Sequence, residues 1–226
     1  MNRAVFTKPA DTRITLIGDV HGKYDEYYEI AKECEYTVQL GDFGFAGAWN
    51  KLTYSKLDPN KHKVIKGNHD QYGCPQEPHN LGDFGEYTLN GVTFFFVRGG
   101  ISIDRTYRQG DQFSGGKQTY WTQEELNFTE MLQCIEAYKK SKATILLGHC
   151  PPACVIDDLH GNKEHRILQR FGFHIGFREN TSLLLDELIK IRRPEICVFG
   201  HHHISYANYI NKTLYRCLSE LETMDI

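Results

Sequence analysis

The sequence predicts an α/β fold built on mixed sheets, and three observations carry that prediction. Five short apolar, β-rich runs each end at a glycine followed at once by an aspartate, an asparagine or a histidine. Segments with helical spacing lie between those runs. Two hairpin patterns break the alternation, so some neighbouring strands run antiparallel. Strand and helix in alternation argue for α/β units.

The elements follow in order. Ile14 to Ile17 is the first run, closed by Gly18 before Asp19. A helix is predicted over Tyr24 to Cys34, where Tyr27, Ile30, Ala31 and Cys34 recur at helical spacing. Thr37 to Leu40 leads through Gly41 to Asp42, and Lys63 to Lys66 leads through Gly67 to Asn68. Glu86 to Leu89, an Asn90-Gly91 turn and Val92 to Val97 read as a hairpin, because Asn-Gly suits the tight turn that a hairpin needs. A helix is predicted over Thr122 to Lys140, opened by Thr-Gln-Glu-Glu as a capping box and carrying Leu126, Met131, Leu132, Ile135 and Tyr138. Thr144 to Leu147 leads through Gly148 to His149. Thr181 to Ile191 reads as a helix with Leu184, Leu185, Leu188 and Ile191, ending before Pro194. Ile196 to Phe199 leads through Gly200 to His201. Ser205 to Ile210, Asn211-Lys212 and Thr213 to Leu218 form the second hairpin. Continuous β-branched runs read as buried strands, and glycine at their ends permits a sharp turn and close backbone approach. Ligand-type residues would therefore gather at the carboxyl ends of strands, where open α/β sheets collect their sites.

Length and composition fit this picture. A chain of 226 residues suffices for one domain with a sizeable core, and residues 1–226 are read as a single domain without repeats or linkers. Apolar residues at 40% and charged residues at 24% are globular values. The longest apolar runs, Ala143 to Leu147 and Val92 to Val97, have strand length, so no membrane span is expected. The opening residues lack an apolar signal-peptide core, which makes the cytoplasm the expected compartment. Seven scattered cysteines with no CxxC pattern suit reduced thiols. Cys150 and Cys154 have a spacing that could hold a metal, but packing is the simpler reading. The formal net charge of -3 shows no global basic surface, so no grip on long nucleic acid is expected.

The chemistry lies in the residues after the glycines. Asp19 and His21 stand in Gly-Asp-Val-His-Gly, and Asp42 in Gly-Asp-Phe-Gly. Gly67-Asn-His-Asp supplies Asn68, His69 and Asp70. His149 opens His-Cys-Pro-Pro, and Gly200 precedes His201, His202 and His203. Imidazole and carboxylate donors together bind borderline first-row divalent cations. Two acids, one amide and four imidazoles exceed what one ion takes and suit a pair.

This order of blocks, from Asp19 to His203, resembles the calcineurin-like metallophosphoesterase family, in a small, capless form. The resemblance implies a four-layer α/β/β/α sandwich with a dimetal site at one sheet edge. It implies that Asp19, His21 and His203 hold one metal, that Asn68, His149 and His201 hold the other, and that Asp42 bridges them. His69 would face the phosphate, protonating the leaving group or stabilising the charge that develops there. Two cations ~3.5–4 Å apart clamp the attacking and departing oxygens of an in-line displacement. Mn²⁺ is the expected ion, and Fe, Zn²⁺ and Ni²⁺ fit the same donors. His202 is read as a bystander, and His62, His79, His160, His165 and His174 as surface or core-edge imidazoles.

The sequence departs from the Ser/Thr protein phosphatases of that family. Their second block carries a further Asp and an Arg where Phe45 and Ala46 stand here, and their third block ends in Glu where Asp70 stands. A small phosphomonoester or phosphodiester, such as a nucleotide, is therefore the expected substrate. A phosphoprotein phosphatase and a catalytically silent scaffold are the alternatives. The segment Arg98 to Arg108 either is a solvated charged loop or brings Arg105 and Arg108 to an anion. Tyr107, Phe113, Tyr120 and Trp121 either offer a stacking face or pack beneath that loop.

Overall fold

Side chains alternate across a strand, so a run that is apolar throughout must be buried on both faces. Phe94, Phe95 and Phe96 show the consequence: the first and third face one core, and the middle ring faces another. In the computed structural model, which describes residues 13–44, 56–73, 77–161, 168–174 and 176–226, two mixed sheets meet at such strands. The first sheet has the order β10 (Thr223–Asp225), β1 (Thr15–Ile17), β2 (Thr37–Gln39), β3 (His62–Val64). The second has the order β4 (Phe84–Leu89), β5 (Val92–Val97), β6 (Ile145–Gly148), β7 (Ile196–Phe199), β9 (Thr213–Cys217), β8 (Tyr206–Ile210). The strands β1, β2 and β3 are parallel to one another, as are β5, β6, β7 and β9. Strands β10, β4 and β8 pair antiparallel.

Three cores separate four layers. Leu16, Val38 and Ile65 of the first sheet pack on Phe94, Phe96, Leu147 and Val198 of the second. The outer face of the first sheet, with Ile17 and Val64, packs on Tyr27 and Ala31 of α1 (Tyr24–Lys32). The outer face of the second sheet, with Phe95, Val97, Leu146 and Cys197, is covered by three helices. These are α3 (Phe128–Lys140), α4 (Ala153–His160) and α5 (Asn180–Ile191), which contribute Tyr138, Val155, Leu184 and Leu188. The architecture is the expected α/β/β/α sandwich. No helix among the described residues is long and apolar enough to cross a membrane.

Several boundaries differ from the sequence reading. The capping box of α3 is Asn127 with Glu130, not Thr122 with Glu125: Asn127 Oδ1 accepts from Glu130 N at 3.0 Å, and Glu130 Oε2 accepts from Asn127 N at 2.8 Å. The acids of the earlier Thr-Gln-Glu-Glu stretch serve distant partners. Glu125 accepts from Thr181 N at 3.0 Å at the start of α5, and Glu124 turns inward to Ser102. The segment Arg105–Phe113, read as a loop, is a helix, α2, with no buried residue. Its half-buried positions are Arg105, Arg108 and Gln112, so no apolar stripe marks it as a helix packed on the core. Helix α4 was also unread; it is short and follows two prolines. Strand β10, three residues long, pairs only through the fold and carried no local signal.

Candidate metal centre

Strand-end glycines make room for ligands carried by other strand ends. A Cβ on Gly200 would overlap Asp19 Oδ1, and one on Gly67 would overlap Asp42 Oδ1. The recurring strand-Gly-ligand pattern is thus a packing requirement: the carboxylates lie directly over backbone that has no side chain. Four of the seven candidate ligands also sit in the left-handed backbone region, with φ of 48° at His21, 56° at Asp42, 68° at His201 and 53° at His203. Such conformations are uncommon for non-glycine residues and cluster where function holds them in place.

The loops converge. Donor atoms of Asp19, His21, Asp42 and His203 lie within 4.8 Å of one another, and so do those of Asp42, His149 and His201. Asp42 belongs to both groups. In the first, His203 Nε2 is 3.2 Å and His21 Nε2 3.5 Å from Asp19 Oδ2, and the two imidazole nitrogens are 2.8 Å apart. In the second, His149 Nε2 is 3.3 Å from Asp42 Oδ1, 2.9 Å from Asn68 Oδ1 and 3.2 Å from His201 Nδ1. His69 stands beside both, its Nε2 3.8 Å from Asp42 Oδ2.

Two details fit a cation. Asp42 Oδ2 is buried and accepts no hydrogen bond, an expensive state for a carboxylate oxygen that a metal ion relieves. The His149 ring donates from Nδ1 to the Leu40 carbonyl at 2.8 Å. That bond leaves the Nε2 lone pair turned to the cluster, the arrangement of a metal-ligating histidine. The electrostatics agree. Burial opposes charge on Asp42, yet the imidazoles of His149, His69 and His21 hold its carboxyl well below the usual range. Burial likewise opposes charge on His149, but Asp42 and Asp19 push its pKa up to about 10. His201 goes the other way: burial and the charge of His149 push it down to about 3. The excess negative charge of the two aspartates therefore recruits a proton onto His149, and a divalent cation would take that proton's place.

The sequence reading missed the groups that aim these residues. Asn68 Nδ2 donates to Ser102 Oγ at 3.0 Å, which forces Asn68 Oδ1 toward the cluster. Ser102 Oγ in turn donates to Glu124 Oε2 at 2.7 Å, and Ser102 N donates to Glu124 Oε1 at 3.0 Å. Buried Glu179 stands 3.7 Å from His201 Nε2 and accepts from Ile101 N at 2.6 Å. Asp70 accepts from Gly44 N at 2.9 Å and Gly67 N at 2.7 Å, tying together the two loops that carry Asp42 and Asn68. No local motif marks Glu124 or Glu179, because each meets its partner only through long-range folding. Asp70 alone had a signal, in its place after Asn68 and His69.

Burial pushes the Glu124 carboxyl up to about 7. Between its ordinary value near 4.5 and about 7, the folded chain keeps a proton that the unfolded chain has lost, so Glu124 lowers stability as pH rises through that window. Glu124→Gln is therefore expected to melt at a temperature that improves, relative to the parent protein, between pH 5 and pH 8. Thermal melts across that range check this, and a relative loss on raising the pH would show Glu124 to be ionised in the fold.

Other expectations meet mixed outcomes. Arg98 is buried away from the cluster: it donates to Gln123 O at 2.7 Å, pairs with Asp83 and covers the Tyr72 ring at 4.7 Å. Arg105 lies over the Phe173 ring, whereas Arg108 borders the same cleft as Asn68 and His69. Trp121 is 4% exposed and packs in the interior, while Tyr107 and Phe113 are 76% and 95% exposed and do not border that cleft. His202, read as a bystander, turns its Nδ1 to His160 Nε2 at 2.5 Å, yet also lies within reach of Glu179 and His201 as a third group of donors. His160 is thereby part of the cleft wall. The six described cysteines are free, and Cys150 is buried beside Ser182. Phe45, Ala46, Cys74 and His165 lie outside the described residues.

A sandwich of two mixed sheets with carboxylates and imidazoles converging at the strand ends is the fold of the metallophosphoesterases. Residues 12–205 match the profile of the calcineurin-like phosphoesterase family, and the chain belongs to that family. No curated protein matches it in sequence. Among solved structures, a putative 5'-nucleotidase from Staphylococcus aureus aligns with a TM-score of 0.53 at 11% identity, over 94% of this chain and 50% of that one. The chain thus spans half the length of that nucleotidase. The phosphopantetheinyl hydrolase of Mycobacterium tuberculosis aligns with a TM-score of 0.47 at 12% identity, over 92% and 90% of the two chains. A predicted phosphoesterase from Streptococcus pneumoniae aligns with a TM-score of 0.42 at 13% identity, over 97% and 85%.

Proposed function

We propose that this protein, as a single domain, hydrolyses a small phosphomonoester or phosphodiester, such as a nucleotide, at a dinuclear metal site. The observation that carries the reading is the position of Asp42 between two donor sets, with one buried carboxylate oxygen left without a hydrogen bond. Asp19, His21 and His203 would hold one ion, Asn68, His149 and His201 the other, and Asp42 would serve both. Mn²⁺ is the proposed ion, and Fe, Zn²⁺ or Ni²⁺ would accept the same nitrogen and oxygen donors. Such a pair, when bound, supplies fixed positive charge to the phosphoryl oxygens and to the attacking water.

The chain's own residues do the rest. Water's oxygen bonds to phosphorus, the ester P–O bond breaks, one water proton ends on the departing alcohol and the other leaves with phosphate or solvent. His69 faces this reaction with its pKa below the usual histidine value, held down by burial and by the charges of Arg108, His21 and His149 against the pull of Asp42. A neutral imidazole at pH 7 favours a role as hydrogen-bond donor to the developing charge over that of a standing acid. Arg108 borders the same cleft with its Nε held by Asp104 Oδ1 at 2.7 Å, and its terminal nitrogens are suited to grip an oxygen of the reacting phosphoryl group in place of the arginine that Ala46 replaces.

The test is turnover of an aryl phosphomonoester and an aryl phosphodiester by the Mn²⁺-loaded protein. Turnover of at least one, on the order of 1 per second or faster, is expected. Failure with both, while two equivalents of metal are bound, would leave the scaffold reading in its place.

A further inference from the structure

The cleft beside His69 has a volume of roughly 360 Å³. Its near end is the candidate metal centre itself, since Asn68, His69, His201 and His203 all border it. Its far wall is of another kind: Ile101, Ile103, Ile156, Leu168, Phe171 and Phe177. Two guanidinium groups also reach it, but each has a carboxylate against it. Arg108 Nε donates to Asp104 Oδ1 at 2.7 Å, and an Arg178 terminal nitrogen donates to Asp157 Oδ1 at 2.6 Å. Beyond the metal centre the cleft is therefore mainly apolar, with His160 and His202 as polar wall and each guanidinium charge paired. Its volume is at the low end for small-molecule sites, enough for one compact ligand and too little for a polymer strand.

A phosphoester bound with its phosphoryl group at the metal centre must put its alcohol half somewhere. We infer that this cleft is the leaving-group pocket, and that the substrate is a phosphoester of an uncharged, ring-bearing alcohol. The inference rests on the hydrolase reading above and narrows it. Two phenylalanine rings and four branched aliphatic side chains reward burial of an apolar ring, and the rings add flat faces for it to pack on. A second phosphate or carboxylate on the leaving group would lose its water against the apolar wall, where each guanidinium already faces a carboxylate, and would be rejected. His69, at the boundary between phosphoryl site and pocket, then faces the ester oxygen that departs.

Benzyl phosphate and glycerol 1-phosphate test this, because both release a primary alcohol of similar acidity and differ mainly in the ring. With the Mn²⁺-loaded protein, kcat/KM is expected to favour benzyl phosphate by about tenfold or more. Phe177→Ala should shrink that ratio, with circular dichroism confirming the fold. Phe171→Ala, at a residue 40% exposed, is the second variant should the first not fold. Binding of neutral benzyl alcohol, followed by saturation-transfer NMR, gives a readout independent of turnover, and it should weaken in either variant. Equal kcat/KM for the two esters with no binding of benzyl alcohol overturns the pocket and leaves the hydrolase standing. No turnover of either ester, with benzyl alcohol bound, overturns the hydrolase reading and with it the leaving-group role.

Discussion

Asp42→Asn is expected to reduce turnover by on the order of a thousandfold or more, and to reduce bound metal from two equivalents to one or none. The substitution is the most informative available because it changes charge with little else. Asn tolerates the left-handed backbone that Asp42 adopts, with φ 56°, so no new strain is introduced. The amide oxygen can still accept from His69 N, as Asp42 Oδ1 does at 2.8 Å. What disappears is the negative charge common to both donor groups and the buried oxygen that has no hydrogen-bond partner. His149 also loses its strongest source of added basicity. Metal content measured on purified protein, alongside steady-state turnover, checks the expectation. Activity within tenfold of the parent protein, with two equivalents still bound, would remove Asp42 from the centre.

His69→Ala is expected to separate metal binding from rate. The side chain borders the cleft and stands near Asp42 but lies outside both donor groups that share Asp42. Its loss should leave two equivalents of metal bound and lower kcat by about 10²–10⁴-fold, the range for a group that acts on the departing oxygen. The fall should be smallest for esters whose alcohols are most acidic, since those leave with least assistance. A rate unchanged for both aryl and alkyl esters would exclude His69 from the chemistry.

Much of this site was legible before folding because its residues follow one local rule. A buried strand must end, a glycine lets it end under a side chain, and the next residue supplies a donor; Asp19, Asp42, Asn68, His149 and His201 all follow that rule. Local rules also marked most of the strands, the Asn90-Gly91 hairpin and the apolar stripe of α5, because each shows as a period or a turn within a few adjacent residues. Where two local rules competed, the choice was not local. The sequence pattern opens a helix at Thr122, whereas the fold opens it at Asn127, with Glu124 drawn to Ser102 and Glu125 to α5.

The sequence by itself determined the alternation of strand and helix and the donors at the strand ends, because hydrophobic period and donor chemistry are written residue by residue, while the four layers were implied by its family resemblance. Only the tertiary structure decided what aims and surrounds those donors. Ser102 and Glu124 orient Asn68, Asp70 ties two loops, Arg98 turns into the interior, and Ile156, Phe171 and Phe177 wall the cleft. Each of these joins residues distant in the chain, and a contact between distant residues has no periodic trace in sequence; it exists only once the cores have closed and fixed the loops against one another.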